Sequence, residues 1–278
     1  MIILKIVAWI ITLIVVVGTI GIASSYWIMT RTIGTEIDRL TAEAASPGGA
    51  VITDGQLLGL PTAARRYLVH AGIVGTHIPR LVRLTQKGQI RSSTEANWMG
   101  FEADEIYSTN PPAFVWRASF PSPVTPIVLG RDVYLGGKGS ILMKMLALVP
   151  VADEHGDELA AAGLMRYLNE MMWFPAAFLG SNVTLSAIDD GSFGVSLADR
   201  GMVAEAVIFI DAEGRLTNFR ARRYNTGSRS VEAWETPITA YGIFNGLDLP
   251  KAGSAVWKLP GGDLDYIALD ITGVQYED

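Results

Sequence analysis

The 278-residue chain contains no cysteine. That excludes a disulfide framework, a thiolate nucleophile and a zinc–thiolate site, and it leaves the compartment open. Histidine is scarce as well, with three in the chain. Positive charge is in deficit: 22 Lys and Arg stand against 28 Asp and Glu, and the net charge of −6 argues against nucleic-acid partners. Two motifs of phosphate and acyl chemistry are missing too. A phosphate loop ending at Gly137-Lys138 needs glycine at position 132, which is Asp132, and Ser or Thr at 139, which is Gly139. Ser140 lacks the flanking glycines of a hydrolase elbow. No metal site and no cofactor are expected. The acidic run 153–158, with His155 inside it, has no recognised ligand spacing. It reads as a loop whose acids favour the positive end of a following helix.

Charge disappears entirely between Ile6 and Thr30. About twenty apolar residues cross a bilayer, so residues 1–30 read as a transmembrane anchor that meets the membrane through residues 6–29. The run is long for a cleaved signal, although Gly21-Ile22-Ala23 offers a small-residue cleavage site. An uncleaved helix is the preferred reading. Lys5 before the span and Arg31 and Arg39 after it leave the charge rule for orientation undecided. An N-terminal start this short stays in the cytoplasm as a rule, which places the following domain outside. Residues 31–52 read as a linker with a short helical run at 36–45, and residues 53–278 as one β-rich, ligand-binding-like domain.

Residues 159–179 are apolar nearly all round, and such a helix must be covered on most sides. Arg166, Asn169 and Glu170 interrupt it, with Arg166 and Glu170 on one face four residues apart. A buried ion pair that orients the helix is the plainer reading; a polar anchor for a ligand head group is the sharper one. Residues 60–72 form another helix, with Arg65 and Arg66 facing away from its apolar stripe, towards solvent or lipid phosphates. From Arg80 the period changes to two, and strands follow at 81–86, 90–98, 101–107, 113–120 and 131–135. Residues 121–126 form a proline-rich loop that suits a connection or a rim, and residues 141–149 read as a short apolar helix. After the central helix, turns at 189–191, 199–201, 211–214 and 260–263 mark a meander of strands reaching residue 276. The fold class is therefore α+β, mainly antiparallel β: a curved sheet wrapped around central apolar helices, preceded by a transmembrane helix.

Five of the nine methionines fall between Met143 and Met172. Such a cluster suits an ordinary core or an adaptable ligand surface. In the strand 219–224, alternation puts Phe219, Ala221 and Arg223 on one face. If that face is inner, Arg223 needs a carboxylate, with Glu170 first and Glu102 in reserve; otherwise it reaches solvent at the strand end.

Several stretches resemble one bacterial family, the domain-of-unknown-function family numbered 6544. They are Leu60-Pro61 with Arg66-Tyr67-Leu68 and Ala71-Gly72, then Phe114-x-Trp116-x-Ala118, Asp132-x-Tyr134 and Gly137-x-Gly139. The most specific is Arg166-Tyr167-Leu168-x-Glu170-x-x-Trp173-x-Pro175, with Arg223-Tyr224, Trp234 and the tail 257–276 beyond it. The resemblance covers residues 55–276, implies no catalytic residues, and fits an N-terminal membrane span. The order of elements is also similar to the lipoprotein-carrier fold, a half-open β-barrel plugged by helices. The expected function is a membrane-tethered, non-catalytic binding protein for a lipid, an acyl chain or a lipidated partner, in the bacterial inner membrane. The expected ligand-binding residues are Met143, Met165, Arg166, Glu170, Met172, Trp173 and Arg223. Two alternatives stand: an envelope enzyme using an Arg/Glu cluster beside an apolar pocket, and a scaffold that binds another envelope protein.

Overall fold

The computed structural model describes residues 1–45, 48–121 and 128–278. Most of the proline-rich segment 121–126 lies outside the described residues. The helices are α1 (Ile2–Glu43), α2 (Asp54–Leu57), α3 (Thr62–Ala71) and α4 (Asp157–Glu170). The first six strands are β1 (Leu81–Ile90), β2 (Met99–Thr109), β3 (Pro112–Phe120), β4 (Val128–Leu135), β5 (Lys138–Met145) and β6 (Val149–Gly156). Eight more follow α4: β7 (Val183–Asp189), β8 (Ser192–Asp199), β9 (Met202–Ile210), β10 (Leu216–Asn225), β11 (Ser230–Glu235), β12 (Ile238–Phe244), β13 (Leu247–Leu259) and β14 (Gly262–Glu277).

All of them belong to one antiparallel sheet, ordered β6-β5-β4-β3-β2-β1-β14-β13-β11-β10-β9-β8-β7, with β12 paired to β13. Among the described residues β6 and β7 have no outer partner, so the sheet they form is not a closed barrel. It is nevertheless strongly curled. The single helix α4 packs against β3 to β6 near one edge and against β8, β9 and β10 near the other. Sheet twist and coil supply that curvature, and the helix supplies the apolar filling. This is the curved sheet expected around the central helix, in the half-open barrel form that the resemblance implied.

Cross-strand register arranges the inner face of β1 to β5 in rows. One row is Val82, Tyr107, Phe114, Tyr134 and Gly139; the next is Leu84, Glu105, Trp116, Asp132 and Ile141. A third contains Gln86, Ala103, Ala118, Gly130 and Met143. α4 lies on the first two. Gly139 faces the helix so closely that a Cβ there would sit 2.1 Å from the Leu159 carbonyl oxygen. Beyond α4, the 3-10 turns Met171–Trp173 and Pro175–Leu179 complete the plug, as Pro175 prescribes. Tyr107, Tyr167 and Phe174 meet there with ring centroids 5.0 to 6.2 Å apart.

Three readings of local structure change. Residues 141–149 are not a helix: they are the end of β5, a tight turn and the first residue of β6. Periodicity cannot separate a short apolar run of either kind. Pairing with β4 decides it, placing Met143 opposite Gly130 and Met145 opposite Val128. Accordingly Asp153, Glu154 and His155 lie in β6 rather than in a loop. Second, the linker reading fails for residues 31–43, because α1 runs unbroken to Glu43. Its distal half lies on the outer face of the sheet, where Met29, Ile33 and Leu40 pack with Ile106, Val115 and Val133. Glu36 clamps Arg131 there, with Nε to Oε2 at 2.6 Å. Third, β13 begins at Leu247, despite Pro250. That stretch pairs only with β12, and β14 joins at Ala252, so the missing N–H costs no ladder bond on the other side.

α3 ends on Gly72, which is left-handed with φ of 81°. Arg66 faces neither lipid nor open solvent. Its guanidinium donates to the carbonyls of Asp190, Asp211 and Ala212 at 2.6 to 2.9 Å, tying two β-turns to the helix.

Candidate functional site: a sealed arginine cluster and an arginine on aromatic rings

The spacing of Arg166 and Glu170 brings them together on α4, Nε to Oε1 at 2.8 Å. The second inner row supplies the rest. Arg166 Nη1 donates to Asp132 at 2.6 Å and Nη2 to Glu105 at 2.9 Å. The plane lies over Phe114 at 4.8 Å and Trp116 at 5.3 Å. Gln86 Nε2 donates to the other Glu105 oxygen at 2.6 Å, and the Tyr107 hydroxyl donates to Glu170 at 3.2 Å. One guanidinium therefore holds three carboxylates in a nearly dry site: the Glu105 side chain is 0% exposed and that of Arg166 14%.

Burial disfavours the charged form of two of these carboxylates. Burial pushes the Glu105 carboxyl well above its usual range; Arg166 opposes this, and Glu170 adds to it. Glu170 is raised as well, first by burial, against the pull of Arg166. For Arg166, burial alone favours the neutral form, but Glu105, Glu170 and Asp132 outweigh it and hold the charge more firmly. Every arm of the guanidinium is engaged. The cluster has the geometry of a tie between helix and sheet.

Arg223 behaves differently. Alternation holds, with Phe219 and Ala221 buried and Arg223 on their face. Neither Glu170 nor Glu102 pairs with it. Glu170 is held by Arg166, and Glu102 is exposed on the outer face. Arg223 instead donates from Nε to the Ala162 carbonyl at 3.1 Å and rests over Trp234 at 4.8 Å and Trp257 at 5.8 Å. Trp257 stacks on Tyr266 at 5.7 Å, and the Tyr266 hydroxyl accepts from Trp234 Nε1 at 3.3 Å. Among the described residues Arg223 forms no ion pair: Glu232, opposite it in register on β11, accepts from Ser228 and Ser230 instead. The platform of rings under Arg223 was invisible in the sequence, because Trp234, Trp257 and Tyr266 come from three strands.

The remaining candidates separate. Met165, Met172 and Trp173 are buried in the packed interior. Trp173 is pinned there, donating to the Pro250 carbonyl at 3.0 Å and accepting from Tyr276 at 2.6 Å. Met143 sits on a strand and stays half-buried at the border of the core, with Ile90, Val128, Leu264, Ile267 and Leu269. By register these residues share the inner face of the sheet, partly exposed and packed against the core. A cleft of about 550 Å³ lies elsewhere, against outward residues such as Lys87, Glu102 and Asp270, and none of the seven candidates lines it.

Three solved structures are similar to part of the chain. One is a LolA superfamily protein from Nitrosomonas europaea, 10% identical, with a TM-score of 0.44 over 78% of this chain and 94% of that one. Another is described as an outer membrane lipoprotein-sorting protein domain, from Vibrio parahaemolyticus, at 8% identity and TM-score 0.42 over 70% of this chain and 85% of that one. A DUF1329 family protein from Desulfovibrio piger reaches 10% and 0.41 over 82% and 94%. At such identities they say nothing of what this chain binds. No curated protein sequence matches it. The family model does match, across residues 50–269, and takes in the Arg166 cluster, the Arg223 platform and both halves of the sheet; the chain belongs to the family of unknown function DUF6544.

Proposed function

We propose that this protein is a membrane-tethered, non-catalytic binder of a lipid, an acyl chain or a lipid-bearing partner, held by α1 in the bacterial inner membrane with its domain outside the cytoplasm. The observation that carries the reading is Arg223: an inward, half-buried guanidinium on an aromatic platform, in no ion pair among the described residues although Glu232 stands opposite it in register. An anionic head group completes such a site, because a charge-assisted bond in a half-dry setting is worth about 1.5–3 kcal/mol. The apolar face of Met143, Ile90, Val128 and Ile267 gives the chain of the same ligand a greasy wall. α1 is long and apolar enough to cross a bilayer. Arg166, Glu170, Met165, Met172 and Trp173 lie in the packed interior beside this face.

The test is extraction and mass spectrometry of the full-length protein purified in detergent, beside the R223Q variant. An anionic lipid or fatty acid should co-purify with the parent and fall about tenfold in R223Q, the equivalent of about 1.4 kcal/mol. Equal lipid content in the two, or none above a mock purification, overturns the reading.

A further inference from the structure

We propose that the tip of the β5–β6 hairpin is a second membrane contact, inserted into the lipid head-group layer beside α1. This rests on the tether reading above. Residues 2–20 of α1 are exposed along their whole length, and cover from the domain begins at Gly21, Ile22 and Ser25, still inside the charge-free run. The Ser25 hydroxyl donates to the carbonyl of Ala147, at the hairpin tip. At 1.5 Å per residue, about 20 residues of helix fill the hydrocarbon layer, so the Ser25 level is where α1 leaves it. Tyr26 and Trp27 are exposed at this level, and Arg31 lies 5.1 Å from the Trp27 ring, an arrangement suited to the interface.

The tip itself breaks the rule for a hairpin turn in water. Leu146 and Ala147 have φ of 50° and 55°, and Leu148 N–H closes the turn on the Met145 carbonyl at 3.0 Å. Two consecutive positive-φ positions favour Asn and Gly, which tolerate that conformation and water together. Here they are Leu146, 37% exposed, and Ala147, buried beneath α1 with Met29 and Ile33, at a steric cost. Leu148, Val149 and Val151 beside them are 49%, 55% and 53% exposed. A bilayer accounts for the exposed part, Leu146, Leu148, Val149 and Val151, because apolar side chains that are a liability in water are favourable in the acyl boundary. The contact is continuous with the anchor, and it fixes the domain with the ends of β1 to β5 turned towards the lipid.

The chain's lack of cysteine permits a clean test. Full-length L148C, I14C and I188C proteins carry a nitroxide label in vesicles of phosphatidylethanolamine and phosphatidylglycerol. Accessibility to dissolved oxygen and to a water-soluble nickel chelate reports depth. Leu148→Cys should favour oxygen severalfold over the exposed control Ile188→Cys, and Ile14→Cys more strongly still. A buried Ile14 label with a water-exposed Leu148 label overturns the proposal and leaves the tether intact. Both labels in water overturn both. A Leu148 label shielded from both reagents means that β6 pairs with a second copy, which also overturns it, as does an Ile188 label that behaves like Leu148.

Discussion

Arg166 is the residue on which the interior depends. Removing one member of a buried ion cluster strands the others, which costs about 3–5 kcal/mol. Arg166→Met should therefore lower the unfolding free energy of the detergent-purified protein by that amount, read by denaturant titration. Adding Glu105→Gln to it should recover part of the loss, because the carboxyl pushed upward by burial is then neutral. The same carboxyl makes stability depend on pH. Its folded pKa lies above the unfolded value of about 4.3, so above that pH the native state holds a proton that the unfolded chain has lost. Stability must then fall as pH rises from about 4.3 to the raised folded value, by at most about 1.4 kcal/mol per unit for one proton. In Glu105→Gln that slope should flatten. An unchanged slope across this window would show that Glu105 ionises normally.

At the scale of elements, the fold is set by how closely α4 approaches the sheet. Gly139 and Gly163 permit it from the two sides, but with unequal tolerance. A Cβ at 139 meets the main chain of Leu159, whereas one at 163 meets the Tyr134 ring at 3.1 Å, and a ring can give way. Gly139→Ala should cost about 2 kcal/mol or more, a fall in Tm of about 4–8 °C. Gly163→Ala should cost less than half as much in the same thermal scan. The helix face was legible beforehand, since Arg166 and Glu170 needed only their spacing of four. Their partners were not. Asp132 is 34 positions from Arg166 and Glu105 is 61, and strand register alone sets them in one row.

The whole molecule carries an apolar patch that is covered only while α1 is present. Ile106, Val115 and Val133 face outward beneath Met29, Ile33 and Leu40. A chain beginning at Val51 should therefore aggregate even though it keeps the entire sheet, and changing those three sheet residues to Thr should relieve this in light scattering. An N-terminal deletion that stays monomeric without them would show that α1 is a tether and nothing more.

The amino-acid sequence by itself determined the apolar span, the alternation of the strands, the turns between them and the buried face of the central helix. Each is a local pattern carried by residues within a few positions of one another. Tertiary structure decided that residues 141–149 pair as strands, that α1 continues along the sheet, and that Arg166 gathers carboxylates while Arg223 pairs with none. Those outcomes depend on cross-strand register and on which faces meet when the sheet curls. No short window of sequence contains that information, because the energy that fixes it is shared among residues far apart in the chain.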